Sequence, residues 1–83
     1  GNLHMEILGA PENASEWRQV QEAGEEIVRF ALECNGTATG EHGVGIGKRK
    51  FMDREHGSSV KVMKQIKVLL DPNGIMNPGK IFE

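Results

Sequence analysis

Apolar residues recur at two different periods along this chain, and a third stretch follows neither. Leu3-His4-Met5-Glu6-Ile7 alternates apolar and polar residues, the pattern of a half-buried strand. On a strand, His4 and Glu6 share one face and Leu3, Met5 and Ile7 the other. Gly9-Ala10-Pro11 ends the pattern, because proline lacks a ladder donor. Asn13 and Glu16 then stand at capping-box spacing. Val20, Ala23, Ile27, Phe30, Ala31 and Cys34 return every three or four residues, which predicts an amphipathic helix over about residues 14–34. Asn35-Gly36 supplies its left-handed stop.

The next stretch, residues 37–47, suits neither a helix nor a long strand. Glycine at 40, 43, 45 and 47 costs about 1 kcal/mol each in a helix relative to alanine. Residues 48–55 read as a short helix with Gly57 as terminator. Ser58 or Ser59 is expected to cap a third helix. Its apolar stripe is Val60, Met63, Ile66, Leu69 and Leu70, and its basic face is Lys61, Lys64 and Lys67. Asp71-Pro72-Asn73-Gly74 has the residue order of a type I turn. The tail, residues 75–83, is extended or turned, with Pro78 pushing Asn77 out of the helical region. The fold class expected is α+β: a short N-terminal strand, a long helix, a glycine-rich loop and two further helices.

Composition narrows the function classes. With 83 residues there is room for one small domain with a marginal core. A net charge of −2 and four aromatic residues, one Trp and three Phe, do not suit a nucleic-acid binder. No apolar run approaches the roughly 20 residues of a membrane span, and no signal peptide is expected. The single Cys34 excludes an internal disulfide and suits a reducing compartment, the cytoplasm.

The sharpest chemical signal is Glu41-His42, set between Gly40 and Gly43. A carboxylate and an imidazole side by side supply a hard anionic ligand and a tunable base or second ligand. On a strand they would point to opposite faces, so convergence on one site needs a turn, which the glycines make cheap. The same residues also read as a solvated polar loop. His4 is the second candidate, able to complete a metal site with Glu41, although a lone histidine on a half-exposed strand is ordinarily a surface residue. His56 is expected to face solvent, and Cys34 to pack as a small hydrophobe. Gly43-Val44-Gly45-Ile46-Gly47-Lys48 is not a phosphate loop: the first glycine position holds His42, and Arg49 stands where Ser or Thr belongs. Lys48-Arg49-Lys50 can still attract an anion, beside the plainer reading of a solvated first turn.

Thr37-Ala38-Thr39-Gly40-Glu41-His42-Gly43-Val44-Gly45-Ile46-Gly47-Lys48, then Ile66-Lys67 with Leu70-Asp71-Pro72, then Ile75-Met76-Asn77-Pro78-Gly79-Lys80-Ile81, resemble in order the FAD-linked oxidase C-terminal domain. That family includes the glycolate oxidase D-subunit, D-lactate dehydrogenases and D-2-hydroxyglutarate dehydrogenase. Gly1-Asn2-Leu3-His4 is similar to the close of its His-x-Gly-Asp-Gly-Asn-x-His segment. The resemblance implies that residues 1–83 are the C-terminal portion of this domain, part of a ferredoxin-like cap and the helical end. It implies an FAD-dependent 2-hydroxy-acid oxidoreductase in which hydride passes from the α-carbon to flavin. His4 and Glu41 would be ligands of a divalent metal, commonly zinc in characterised relatives. His42 would take the substrate hydroxyl proton, and Asn77 would approach the flavin.

Two departures follow from the same comparison. The family's first histidine, seven residues before the second, would precede Gly1, so weak metal occupancy is expected. Glu6 stands where relatives acting on larger diacids often carry asparagine. The FAD-binding domain is expected on a missing segment or a partner chain, which leaves the 83 residues alone colourless and inactive. The intact enzyme is expected in the cytoplasm or lying peripherally on a membrane. The alternatives are a non-catalytic anion-binding module around Lys48-Arg49-Lys50 and a helical interaction fragment whose apolar stripes form a homodimer.

Overall fold

The computed structural model describes residues 1–82 and divides into two compact units, residues 1–40 and the residues from 41 onward. The tail read above as residues 75–83 includes Glu83, which lies outside the described residues.

In the first unit an irregular arm leads into helix α1, Ala14–Glu33. Asn13 has extended backbone, and its side-chain oxygen accepts the Glu16 N–H at 3.1 Å. A cap of this kind stabilises a helix by about 1 kcal/mol. At the other end the Gly36 N–H donates to the Ala31 carbonyl at 2.7 Å and the Asn35 N–H to Leu32 at 3.1 Å. With Asn35 at φ 60, this is a Schellman closure, as Asn35-Gly36 predicts. The arm approaches α1 closely at Gly9, where a β-carbon would lie 2.6 Å from Val20 Cγ2.

The expected N-terminal strand is not there. Residues 1–8 are exposed and no strand occurs among the described residues, so the α+β expectation gives way to a helical arrangement. A strand satisfies its backbone groups only against a neighbour, and two-residue alternation says nothing of whether one is available. The stripe of α1 is legible but lies open: no residue of α1 is fully buried. Leu3, Met5, Ile27, Phe30 and Cys34 line a shallow apolar groove of about 640 Å³. Cys34 is exposed rather than packed.

The second unit begins with a glycine-rich bend. A 3-10 turn (Arg49–Phe51), helix α2 (Met52–His56) and helix α3 (Ser59–Leu70) follow. Phe51, Met52 and Val60 form its small buried centre. The helix expected over 48–55 is therefore two pieces of different pitch. Gly57, at φ 51, ends α2 as predicted, its N–H donating to Asp53 at 2.8 Å. Ser58 occupies the cap position of α3 but makes no side-chain cap bond, because its backbone is already helical. The Gly57 and Ser58 carbonyls instead receive the Val60 and Lys61 N–H groups at 3.2 Å each. Among the stripe residues Val60 is buried and Met63 half-buried, while Ile66, Leu69 and Leu70 are exposed.

After α3, Asp71-Pro72-Asn73-Gly74 closes as a β-turn, with the Gly74 N–H on the Asp71 carbonyl at 3.1 Å. The buried Asp71 carboxylate does most of the local ordering. It accepts the Ile75 and Met76 N–H groups at 3.0 Å each and the Lys67 ammonium from one turn earlier. Lys67 also donates to the Met76 carbonyl at 2.6 Å.

Candidate metal centre and base

Glu41 and His42 form a two-residue turn at the start of the second unit, with Gly43 at φ 70 and Gly45 at φ 52 immediately after. A β-carbon at either glycine would touch nothing, so these positions need glycine for backbone conformation alone. The turn does what a strand could not. It swings the two side chains to the same side, with His42 Nε2 3.3 Å from Glu41 Oε1. Both side chains are well exposed.

The donor set fits a divalent cation. Oxygen and imidazole ligands sit about 2.0–2.2 Å from zinc in tetrahedral geometry, which puts two such donors about 3.3–3.5 Å apart. The 3.3 Å Glu41–His42 separation meets that spacing, and it equally suits a carboxylate ligand with an imidazole base beside it. In the first unit His4 Nε2 lies 4.0 Å from Glu6 Oε1, so these side chains do share a side, as the alternation predicts, although the segment is not a strand. Glu6 is thus a carboxylate beside His4 rather than one turned away from it.

Asn77 opens the tail turn at φ 47, and its carbonyl accepts the Lys80 N–H at 3.3 Å. Asn77 is exposed. His56 is half-buried, 3.7 Å from Glu55, rather than fully solvent-facing.

Two features of this unit lie outside the expectations drawn from the sequence. One is the Lys67–Asp71 pair, whose signal was a lysine four residues before an Asp-Pro-x-Gly turn. The other is the backbone at Ile81, at φ 63, which residue type gave no reason to expect.

Among the described residues no helix is long and apolar enough to cross a membrane. Residues 1–81 match the family described as "FAD linked oxidases, C-terminal domain". The chain is 45% identical over 83 residues to D-lactate dehydrogenase (cytochrome), mitochondrial, of Arabidopsis thaliana, covering 99% of this chain and 15% of that protein. It is 40% identical over 83 residues to glycolate oxidase subunit GlcD of Bacillus subtilis, covering 99% of this chain and 18% of the relative. It is 36% identical over 85 residues to D-2-hydroxyglutarate dehydrogenase of Stutzerimonas stutzeri, with the same 99% and 18% coverage. The chain thus spans under a fifth of each of these relatives, and over that span it belongs to the FAD-linked oxidase C-terminal domain family.

Proposed function

We propose that this chain is the substrate and metal side of an FAD-dependent 2-hydroxy-acid dehydrogenase or oxidase of the glycolate or D-lactate type. His4 and Glu41 serve as ligands for a divalent metal such as zinc, and His42 is the catalytic base. The observation that carries this reading is the Glu41–His42 pair, 3.3 Å apart on a glycine bend. A flavin held by another domain would supply the hydride acceptor, and a metal held by His4 and Glu41 would supply a Lewis acid for the hydroxy acid's hydroxyl.

The chain's own residues supply the proton chemistry. His42 takes the hydroxyl proton, a task suited to a group that changes charge near neutral pH. The Glu41 carboxylate attracts the positive charge that then develops on the imidazole. Asn77 offers a carboxamide to the flavin edge. The flavin itself is held mainly by a domain outside these residues, on the same polypeptide or a partner, and a homodimer is compatible with the open apolar groove on α1. A reducing compartment such as the cytoplasm suits the single Cys34.

The test is dye-linked oxidation of D-lactate and glycolate by a flavoprotein that combines this chain with a flavin-binding domain of the family. His42→Asn should keep flavin content and lower kcat by about 10²–10⁴-fold. Unchanged turnover in that variant would remove His42 from the chemistry.

A further inference from the structure

We infer that Arg49 is a positioning residue for His42, clamping the tail onto the glycine bend and so fixing the backbone that aims the imidazole, a role that rests on the reading of His42 as the base.

Glu41 and His42 are more than half exposed, so packing does little to hold them. Their direction is set by the backbone of the bend, where Gly43 and Gly45 sit at φ 70 and φ 52. Neither glycine has a neighbour that a β-carbon would meet. Glycine in open space has a wide choice of dihedrals, so bonds from elsewhere must select these.

Three bonds do so. The Lys48 N–H donates to the Val44 carbonyl at 3.2 Å, which closes the bend on itself. The Ile81 N–H donates to the Gly45 carbonyl at 2.7 Å, which ties the bend to the tail. Arg49, four residues beyond Gly45, donates through Nη1 to the Gly79 carbonyl at 2.9 Å. The last two bonds make a closed circuit. It runs from Gly45 to Arg49 along the chain, across to Gly79, along the tail to Ile81, and back to Gly45.

The circuit has a firm footing. Arg49 opens the 3-10 turn that leads into Phe51 and Met52, which with Val60 are the buried centre of this unit. A guanidinium suits the task, because its rigid fork loses less freedom per bond than a lysine would, and its charge strengthens the bond to a carbonyl. Proton transfer to His42 needs a donor–acceptor distance of about 2.6–3.2 Å, and a misplacement of about 1 Å can cost on the order of 10²-fold. Arg49 thus acts on the reaction through the bend, not as a reacting group.

The test pairs the 83-residue chain with the combined flavoprotein. In the Arg49→Gln chain the Ile81 amide should exchange with solvent faster and the backbone at His42 and Gly43 should lose order. Amides of α3 should keep their protection, which shows that the unit still folds. In the flavoprotein, Arg49→Gln should lower kcat with D-lactate about tenfold at unchanged flavin content. The solvent deuterium isotope effect should rise, because proton transfer to a misplaced base becomes the slower step. A variant that merely unfolded more would have fewer active molecules and the parent's isotope effect. Arg49→Lys keeps a charged donor and should recover part of the lost kcat. The parent's kcat or isotope effect in Arg49→Gln, beside an impaired His42→Asn, overturns the role of Arg49 alone. Unchanged turnover in His42→Asn instead overturns the reading of His42 on which that role rests.

Discussion

The Ile81 N–H donates to the Gly45 carbonyl at 2.7 Å, so a β-branched residue at φ 63 is tied to a glycine at φ 52 across 36 positions of sequence. This bond anchors the tail to the bend that follows Glu41-His42. Ile81→Pro removes the donor and cannot reach a positive φ. It should destabilise the second unit by about 2–4 kcal/mol in a urea titration. Ile81→Gly keeps the donor and relieves the backbone, and should cost less than half as much. Equal losses in the two variants would show that the side chain, not the bond, matters.

The Asp71 carboxylate gives the tail a dependence on acid. Hydrogen bonding from the Lys67 ammonium, then from the Met76 and Ile75 amides, holds its pKa below the ordinary 3.8, against the opposing effect of burial. A carboxyl with a depressed folded pKa contributes stability fully above its unfolded value and loses it as pH falls through the folded value. The second unit should therefore lose stability as pH drops below about 3.8, with most of the effect at lower pH. Asp71→Asn should flatten that limb of the pH–stability curve, and Lys67→Ala should move it toward higher pH. An unchanged limb in Asp71→Asn would assign the acid sensitivity elsewhere.

The bend itself can be tested without touching a reacting group. Gly43→Ala meets no neighbouring atom, so its cost is that of placing alanine at φ 70, about 1 kcal/mol. In the combined flavoprotein kcat should fall substantially while flavin content holds, because small displacements of a reacting group are costly. Full activity in Gly43→Ala would mean that the bend does not set the position of His42.

What could be read from the sequence follows from which interactions are local. Helix α1 was legible to within a residue because its cap at Asn13, its stripe and its Asn35-Gly36 closure all lie in neighbouring sequence. Glu41-His42 was legible as a pair for the same reason, once the flanking glycines implied a turn. The N-terminal segment was misread because strand formation depends on a neighbouring strand, and alternation at Leu3, Met5 and Ile7 reports only a tendency. Ser58 was legible as the N-cap position of α3, but its helical backbone leaves the hydroxyl without a cap bond, a detail that residue type does not reveal. Cys34 and the outer α3 stripe followed the expected periodicity, but periodicity does not say what will cover a face. Ile81 was hidden because its backbone bonds to Gly45, a partner far away in sequence.

The most direct test of the proposed centre is a Zn²⁺ titration of the 83-residue chain, followed through the imidazole resonances of its three histidines. Chelator-reversible shifts are expected at His4 and His42, weakened at least about tenfold by Glu41→Gln and by His4→Ala, and unaffected by His56→Ala. Zinc that binds Glu41→Gln as well as the parent chain, or that moves only His56, would contradict it.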